Sequence, residues 1–179
     1  VPDDAAVFLR AARGAYRTIP GNLMSNLPAG PWIRLYAFDS TPVLNAQLQT
    51  IFSIRIYAAK TGDADASWLV GKMQDAALAM LPNFDTGYWT YYSLPHTLSN
   101  LHYQDYVVRL LGLLAKSDER FAEPAARFAS YRKQPPAFKL EPGGPGELRF
   151  WLSKPSHVYA SAGGNSESGW FGDGWHALS

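Results

Sequence analysis

The sequence predicts a mainly α protein of helical-hairpin repeats, the arrangement of an (α/α) toroid, followed by the start of a small all-β module. Three observations support this prediction. Apolar residues recur at helical spacing in five segments before residue 134. A long apolar helix followed by a helix of small residues occurs twice, at an offset of roughly 50–60 residues. After Lys133 the composition changes to Pro and Gly, and then to alternating segments typical of strands.

The helices are predicted from their apolar periodicity and from signals at their ends. Gly62 is expected to end the second helix, and Asp63 and Asp118 are placed to cap the third and the last. Pro and Gly between residues 20 and 31 indicate an irregular stretch after the first helix. The predicted helices cover residues 5–16, 43–59, 65–80, 101–115 and 120–133.

Two aromatic-rich segments, residues 31–45 and 81–106, lie directly before or between helices. The second holds a non-helical insert in which residues 87–93, GYWTYYS, favour a strand or a hairpin. Both segments also carry polar side chains that cannot all be buried without partners. In a toroid of hairpins such loops gather at one face, where they can hold polar groups that packed helices cannot. We therefore expect the functional site in these two segments.

The chain is expected to divide into three parts. Residues 1–133 form the helical domain, residues 134–146 a Pro/Gly linker, and residues 147–179 a partial β module. In the last part, strands are predicted at 147–152 and 157–161, with a turn at Gly163-Gly164-Asn165. Because the sequence starts at Val1 rather than at a methionine, we expect a piece of a longer protein whose helical domain is truncated at its N-terminus.

Composition excludes several classes of function. A net charge of +1 gives no basic field for nucleic acid or for a membrane surface. No apolar run approaches the ~20 residues that span a bilayer. The chain has no cysteine, and its four histidines show no close ligand spacing, so we expect neither a metal nor a cofactor. The compartment is not determined, and an extracytoplasmic location stays open.

The second aromatic segment, LPNFDTGYWTYYSLPH followed by NLHYQDY, resembles the C-terminal domain of the D-glucuronyl C5-epimerases. The family pattern is approximately LP-x-x-DTG-x-x-T-x-Y-x-L-x-H, then N-L and a D-Y pair that opens a helix. Upstream, Trp32, Tyr36 and the S-x-x-V-L-N element at residues 40–45 match as well. The resemblance covers roughly residues 5–133. The family's acidic residue before the first tyrosine is here Leu35, and its arginine before the histidine is here Pro95.

The resemblance implies an (α/α) toroid that converts D-glucuronate to L-iduronate within a polysaccharide, a glycosaminoglycan-like polymer such as heparosan. It also implies a homodimer for the full-length protein. Three tyrosines carry over as catalytic residues: Tyr36, Tyr92 and Tyr106. We expect substrate contacts from seven further residues in the same segments: Trp32, Arg34, Asn45, Trp89, His96, Asn100 and His102.

Tyrosine suits this chemistry, because inversion at C5 removes a proton α to a carboxylate and returns one to the opposite face. A phenol with a reference pKa of ~10 is a good acid but a poor base unless its anion is stabilised. The substrate carboxylate must also be neutralised. His96, His102, Arg34 and Arg109 are the candidates for that role.

Other interpretations remain open. Each tyrosine could instead be a packing residue. Asp85 is expected to close a turn through its side chain, and Asp105 to be an N-terminal helix charge. A uronan lyase would share the proton abstraction but would shorten the chain and give an unsaturated product. A glycoside hydrolase would need two carboxylates, for which Asp39, Asp85 and Asp105 are candidates. A non-catalytic polysaccharide-binding protein would exchange no proton.

Overall fold

The computed structural model describes residues 2–162 and 165–178. Within these ranges the chain forms five α-helices, one 3₁₀ helix and ten strands. The helices are α1 (Pro2–Asn22), α2 (Leu44–Thr61), α3 (Ala64–Phe84), α4 (Leu101–Ala115) and α5 (Ala122–Ser130), with the 3₁₀ helix at Glu119–Phe121. The strands are β1 (Met24–Leu27), β2 (Gly30–Tyr36), β3 (Asp39–Pro42), β4 (Tyr91–Ser93), β5 (Thr97–Leu98), β6 (Phe138–Pro142), β7 (Leu148–Leu152), β8 (Ser156–Ala162), β9 (Asn165–Phe171) and β10 (Gly174–Leu178).

The strands form four small antiparallel sheets. Two of them have three strands, in the orders β1-β2-β3 and β10-β7-β6, and two are hairpins, β4-β5 and β8-β9. A single bridge between Val43 and Ser93 places β4 beside the start of α2. About half of the described residues are helical, so the architecture is mixed α/β.

The prediction of an (α/α) toroid is therefore wrong. The segment taken as irregular contains the β1-β2-β3 sheet, in which Leu27 pairs with Gly30 across a two-residue turn. Gly30 has a φ of +128°, and a Cβ there would meet the Cβ of Ala76 at 3.1 Å. Glycine is thus required both by the backbone and by the close approach of β2 to α3. Pro and Gly, read as loop signals, here mark a hairpin that packs on the helices.

The helix predictions agree with the structure where a helix is buried. The prediction for α4 is confirmed at both ends, and α2 and α3 differ from it by only a few residues. Gly62 ends α2 with a φ of 68°, in the left-handed region. Asp63 caps α3, since its Oδ1 accepts from the N–H of Ala66 at 2.9 Å. Helix α1 runs further than expected and contains Pro20, while the last predicted helix is split into the 3₁₀ helix and α5.

The core lies between α2, α3 and α4, and it includes β2. The apolar face of α2 is fully buried against its neighbours, as are Met73 of α3 and Leu111 of α4. From the sheet, Trp32 inserts into the same core and stacks on Phe84 with ring centroids 5.7 Å apart. The chief buried side chains of the three helices are Leu44, Leu48, Ile51, Ile54, Leu69, Val70, Met73, Val107, Leu110, Leu111 and Leu114.

A buried amide, that of Gln47 in α2, connects the sheet to the helices. Its Oε1 accepts from the backbone N–H of Ile33 at 2.8 Å. Its Nε2 donates to the carbonyl oxygens of Pro31 and Met73, each at 3.1 Å. Each polar atom of this fully buried amide therefore has a partner, as burial requires, and β2 is held against α2 and α3.

The strands after residue 137 pair only with one another in the part of the chain that the structure describes, as the sheet β10-β7-β6 and the hairpin β8-β9. Strand β6 lies within the segment predicted to be a linker and pairs along its whole length with β7. Strands β7 and β8 lie within two residues of the predicted ones. Gly163 and Gly164 of the predicted turn lie outside the described residues. The division into domains stays a prediction.

Neither a membrane span nor a metal cluster is found in residues 2–162 and 165–178. No helix there is long and apolar enough to cross a membrane. No group of three or more His, Cys, Asp or Glu side chains there could hold a metal ion.

Candidate functional site

Strand pairing brings Tyr36 and Tyr92 to one surface. Tyr36 ends β2, and Arg34 two residues before it pairs with Pro42 of β3. The carbonyl of Pro42 in turn accepts from the N–H of Leu94, just after β4, at 3.1 Å. The chain around Pro42 is thus flanked by both tyrosine-bearing strands. This arrangement explains how residues 56 positions apart in the sequence come to share a site.

Tyr92 contacts a second tyrosine, Tyr103, in the first turn of α4. The two rings are tilted by 47° with centroids 4.6 Å apart. Burial raises the pKa of the Tyr92 phenol, and the neighbouring phenols of Tyr103 and Tyr36 raise it further. Burial favours the neutral form of an acid, and a second phenolate nearby would add repulsion. Tyr92 is therefore held as a neutral phenol across the neutral pH range.

Helix α4 extends the same surface. Its residues His102, Tyr103, Tyr106 and Arg109 recur at three- and four-residue spacing, so they project as neighbours. The Tyr106 hydroxyl donates to Oε1 of Gln49 on α2. The rings of His102 and Tyr106 are stacked, with their centroids 6.3 Å apart. The Arg109 guanidinium lies over the Tyr106 ring, 5.2 Å from its centroid.

We call Tyr36, Tyr92, Tyr103 and Tyr106 the tyrosine row. At its Tyr36 end the row continues to Phe38, whose ring stacks on Tyr36 at 5.3 Å and is 89% exposed. The structure thus brings the three predicted tyrosines together and adds Tyr103, which was not among the predicted site residues. Its position three residues before Tyr106 on a predicted helix was the signal that could have identified it.

Asp85 closes the turn that precedes β4, and the prediction of this structural role is confirmed. Its Oδ1 accepts from the N–H of Gly87 at 2.7 Å and from the Tyr131 hydroxyl at 2.6 Å. Its Oδ2 pairs with Nε of Arg127 at 2.7 Å. The DTG turn is thereby attached to α5, which fixes the position from which β4 starts.

A buried polar network supports the tyrosine row from behind. The Thr90 hydroxyl lies within hydrogen-bonding distance of Oε1 of Gln104 and of the Ser99 hydroxyl. Gln104 also donates from Nε2 to the Phe128 carbonyl at 3.1 Å. All three side chains are fully buried, and such a network is rigid when each member has its partner. Gln104 is next to Tyr103, so this network fixes both α4 and β4.

Two predicted substrate-binding residues, Trp32 and Trp89, are core residues. Their exposed fractions are 1% and 2%. Trp32 stacks on Phe84, and Trp89 donates from Nε1 to the Ser99 carbonyl at 2.7 Å. These rings fill the interior, so the expectation that they contact a saccharide is corrected.

Asn100 and Arg34, also predicted to bind substrate, bind the protein's own backbone. The Asn100 side chain caps α4 by accepting from the N–H of Tyr103 at 3.0 Å. Arg34 donates from its two terminal nitrogens to the carbonyls of Ala37 and Asn22. Arg34 is therefore not free to neutralise a substrate carboxylate in this arrangement.

The remaining predicted contacts lie around the row. Asn45 is in the first turn of α2, and its buried Oδ1 has no hydrogen-bond partner among the described residues. His96 is exposed, has a φ of 62° and packs against Tyr91 at 4.9 Å. Of the residues expected to contact substrate, His102 lies most directly against the tyrosine row.

The three carboxylates considered for hydrolysis are each engaged. Asp39 accepts from the N–H of Thr41 at 2.8 Å, and this hydrogen bond lowers its pKa. Asp85 is bound by Arg127 and Tyr131. Asp105 of α4 forms an ion pair with Arg132 that is open to solvent.

Two clefts are lined by residues outside the tyrosine row. One, of about 300 Å³, is lined by residues of α3 and α5 including Asp85, Arg127 and Phe128. The other, of about 250 Å³, lies between α4, the end of α5 and the strands that follow. The tyrosine row lines neither cleft and is instead an open surface.

Comparison with known proteins points to one family. A family model described as "D-glucuronyl C5-epimerase C-terminus" matches residues 6–131. An uncharacterized protein of Methanocaldococcus jannaschii is 34% identical over 74 residues, which cover 41% of this chain and 24% of that protein. The matched part of this chain thus spans about a quarter of the length of that relative. The family match includes all four residues of the tyrosine row.

Proposed function

Because the chain belongs to the D-glucuronyl C5-epimerase C-terminal family, we propose that its tyrosine row inverts C5 of D-glucuronate units in a polysaccharide, giving L-iduronate. The observation that supports this most directly is the convergence of Tyr36, Tyr92 and Tyr106 from two strands and a helix onto one surface. The substrate class is a uronic-acid polysaccharide, and heparosan is the first polymer to test.

Tyr92 is proposed as the group that returns the proton. Its pKa is raised, chiefly by burial, so it carries its proton at neutral pH. A neutral phenol is a suitable acid for a carbanion α to a carboxylate. In the proposed step the C5–H electron pair passes into the carboxylate as an enolate, and the Tyr92 O–H then donates to C5 on the other face.

Tyr106 is proposed as the group that accepts the C5 proton on the first face. Its hydroxyl is oriented by Gln49, and Arg109 lies over its ring at 5.2 Å. For this step Tyr106 loses its hydroxyl proton to solvent, and as the phenolate accepts the C5 proton, negative charge passes from its oxygen to the substrate carboxylate. The Arg109 guanidinium, a fixed cation beside the Tyr106 oxygen and the substrate carboxylate, stabilises that charge without reorganisation.

Arg109 and His102 are also the side chains best placed to neutralise the substrate carboxylate. Both are exposed and lie against Tyr106. Arg34 is committed to backbone carbonyls, and His96 lies against Tyr91 instead. Of the four candidates for neutralising the substrate carboxylate, Arg109 and His102, both on α4, therefore remain.

The open shape of the row suits an internal unit of a polymer. Tyr36 is 53% exposed and Phe38 more so, so their rings offer apolar faces to the C–H face of a pyranose. A chain can lie across an open surface without threading an end into a pocket. The same exposure favours a second candidate function, the binding of a polysaccharide without catalysis.

Solvent deuterium incorporation at C5 tests the proposal. Heparosan is incubated in D₂O with the full-length parent protein, and with its Tyr92→Phe and Tyr106→Phe variants. We expect exchange at C5 without shortening of the chain, lost in both variants. Tyr159→Phe, a change at an exposed tyrosine of β8, is the matched control and should leave exchange intact.

Other outcomes separate the alternatives. An unsaturated, UV-absorbing product with shorter chains would indicate a lyase. Measurable binding with no exchange on any glucuronate polymer would reject the epimerase activity for those substrates and favour the binding role. The homodimer expected for the full-length protein also stays a proposal.

A further inference from the structure

The cleft of about 250 Å³ lies apart from the tyrosine row and largely beyond the family-matched segment. Its lining includes Trp89 and Leu101 from the helical part, and Arg132, Lys154, His157 and Trp170 from residues after 131. The cleft therefore combines aromatic rings with basic side chains.

Lys154 is a buried cation in this lining. The residue is only 4% exposed. Its Nζ donates to the carbonyl of Tyr131 at 2.6 Å and to that of Gln134, and it lies over the Trp89 ring at 5.4 Å. Within residues 2–162 and 165–178, no carboxylate lies within ion-pair distance of it. Burying an ammonium without a counter-ion is costly, and two carbonyl dipoles offset that cost only in part.

Arg132 adds a second positive charge. Its pairing partner Asp105 is 56% exposed, so that ion pair is open to solvent and weak. Burial lowers the pKa of Lys154, and the proximity of Arg132 lowers it further. The cleft and its surroundings thus hold the cations of Lys154 and Arg132 against the one carboxylate of Asp105, which leaves a net positive charge.

Trp170 supplies a flat apolar surface at the same cleft. Its ring is 65% exposed, and His157 meets it edge-on at 5.5 Å. The His157 ring is nearly perpendicular to the indole, and most of the Trp170 side chain stays exposed. A large exposed indole beside cations matches a ligand that has an apolar face and an anionic substituent.

We propose that this cleft is a binding subsite for an anionic saccharide. The carboxylate or sulfate of the sugar binds at Arg132, within the field of Lys154, and the pyranose ring stacks on Trp170. The subsite goes beyond the proposed function, since it uses none of the tyrosine row and requires no proton transfer. In a polymer it would bind a unit at a distance from the reacting one.

Isothermal titration of the protein with a glucuronate oligosaccharide tests the proposal. Arg132→Gln and Trp170→Ala should each weaken the affinity by about tenfold, a change typical of losing one good contact. Asp105→Asn is the matched control for Arg132, because it removes the competing carboxylate and keeps the guanidinium. It should bind equally well or more tightly. Trp175→Ala, at another exposed tryptophan of the same tail, should leave the affinity unchanged.

Two further ligands identify what is recognised. A neutral glucose oligosaccharide of equal length should bind at least about tenfold more weakly. A sulfated oligosaccharide without uronate that binds as well as the glucuronate ligand would support the subsite and assign the anion to sulfate. Affinities of the Arg132 and Trp170 variants within about twofold of the parent, or equal binding of the neutral sugar, would overturn the proposal.

The outcome is independent of the epimerase test. If Tyr92→Phe loses C5 exchange but keeps its affinity for the glucuronate oligosaccharide, the result bears on the tyrosine row and not on the subsite. Loss of affinity in Arg132→Gln while no exchange occurs on any polymer would reject the epimerase function and keep the subsite.

Discussion

The rings of Tyr92 and Tyr103 lie against each other, with centroids 4.6 Å apart, so strand β4 and helix α4 meet through two phenols. This contact couples the proposed acid to a helix whose buried face is fixed by Gln104. It also makes Tyr103 a positioning residue for Tyr92, on which the first prediction is based.

Tyr103→Phe keeps the ring contact and removes one phenol that raises the pKa of Tyr92. We expect that pKa to fall toward the ordinary tyrosine value, as measured by NMR titration of the Tyr92 ring. Tyr103→Ala removes the contact itself and should lower the rate of C5 exchange far more than Tyr103→Phe does. Equal rates in the two variants would mean that Tyr103 does not position Tyr92.

The raised pKa of Tyr92 predicts a specific response to alkali. Because the folded-state pKa lies above the unfolded value of ~10, the associated stability is fully present below pH ~10 and is lost as pH rises through the folded pKa. Tyr16, Tyr88 and Tyr131 have pKa values raised chiefly by burial and act in the same direction. Denaturant unfolding from pH 7 to 11 should show a flat region and then a decline. The decline should be smaller in Tyr92→Phe, and an identical curve would contradict the shift.

Trp32 and Phe38 separate core packing from ligand contact, since both lie in the segment expected to bind substrate. Trp32→Ala should destabilise the fold by about 3–5 kcal/mol, the usual cost of removing a buried large aromatic side chain. Phe38→Ala should change stability by less than about 0.5 kcal/mol but weaken polysaccharide binding. Thermal unfolding and titration of both variants provide the check, and the reverse pattern would place Trp32 at the ligand.

Asn100 is predicted to act as a helix cap. Asn100→Ala should cost about 1 kcal/mol of stability, which lowers Tm by about 2–4 °C in a chain of this size. Asn100→Asp keeps an acceptor for the N–H of Tyr103 and should retain most of the stability. If Asn100→Ala instead left Tm unchanged and abolished substrate binding, the residue would be a ligand contact.

Thr90 tests the buried network behind the row. Thr90→Val preserves shape but leaves the Ser99 hydroxyl and Oε1 of Gln104 without the partner that Thr90 provides, at a cost of about 1–3 kcal/mol. Thr97→Val, at an exposed position of β5, is the control and should have little effect. Chemical denaturation of both variants measures the difference, and similar free energies of unfolding would show that the network adds little.

The sequence was most informative where one physical rule acted alone. Helix α4 was predicted at both ends because its apolar spacing is regular. The role of Asp85 followed from turn chemistry within three residues. The three tyrosines came from a motif, and their catalytic role stays a prediction.

The sequence was least informative where a residue's structure depends on contacts with residues far away in the chain. Gly30 and Pro31 have the composition of a loop, yet pairing with β1 and packing on Ala76 place them in strand β2. Trp89 looked like a surface ring because it lies among tyrosines, but its burial depends on Ser99 and Lys154, which a local pattern does not reveal. The prediction of a toroid was wrong for the same reason. Hairpin repeats in the sequence specify the helices but not the strands that lie between them.

Helix α4 presents Gln104 to the interior and its neighbour Tyr103 to the tyrosine row. An α-helix turns by about 100° per residue, so inserting one residue before Tyr103 in the first turn would rotate Tyr103 into the orientation of Gln104 and Gln104 into the exposed orientation of Asp105. An amide would then face solvent while a phenol replaced it in a site shaped for hydrogen bonds to Thr90 and Phe128. Gene variants with changed length in this turn should therefore lose folding and ligand recognition together, whereas point substitutions can separate the two.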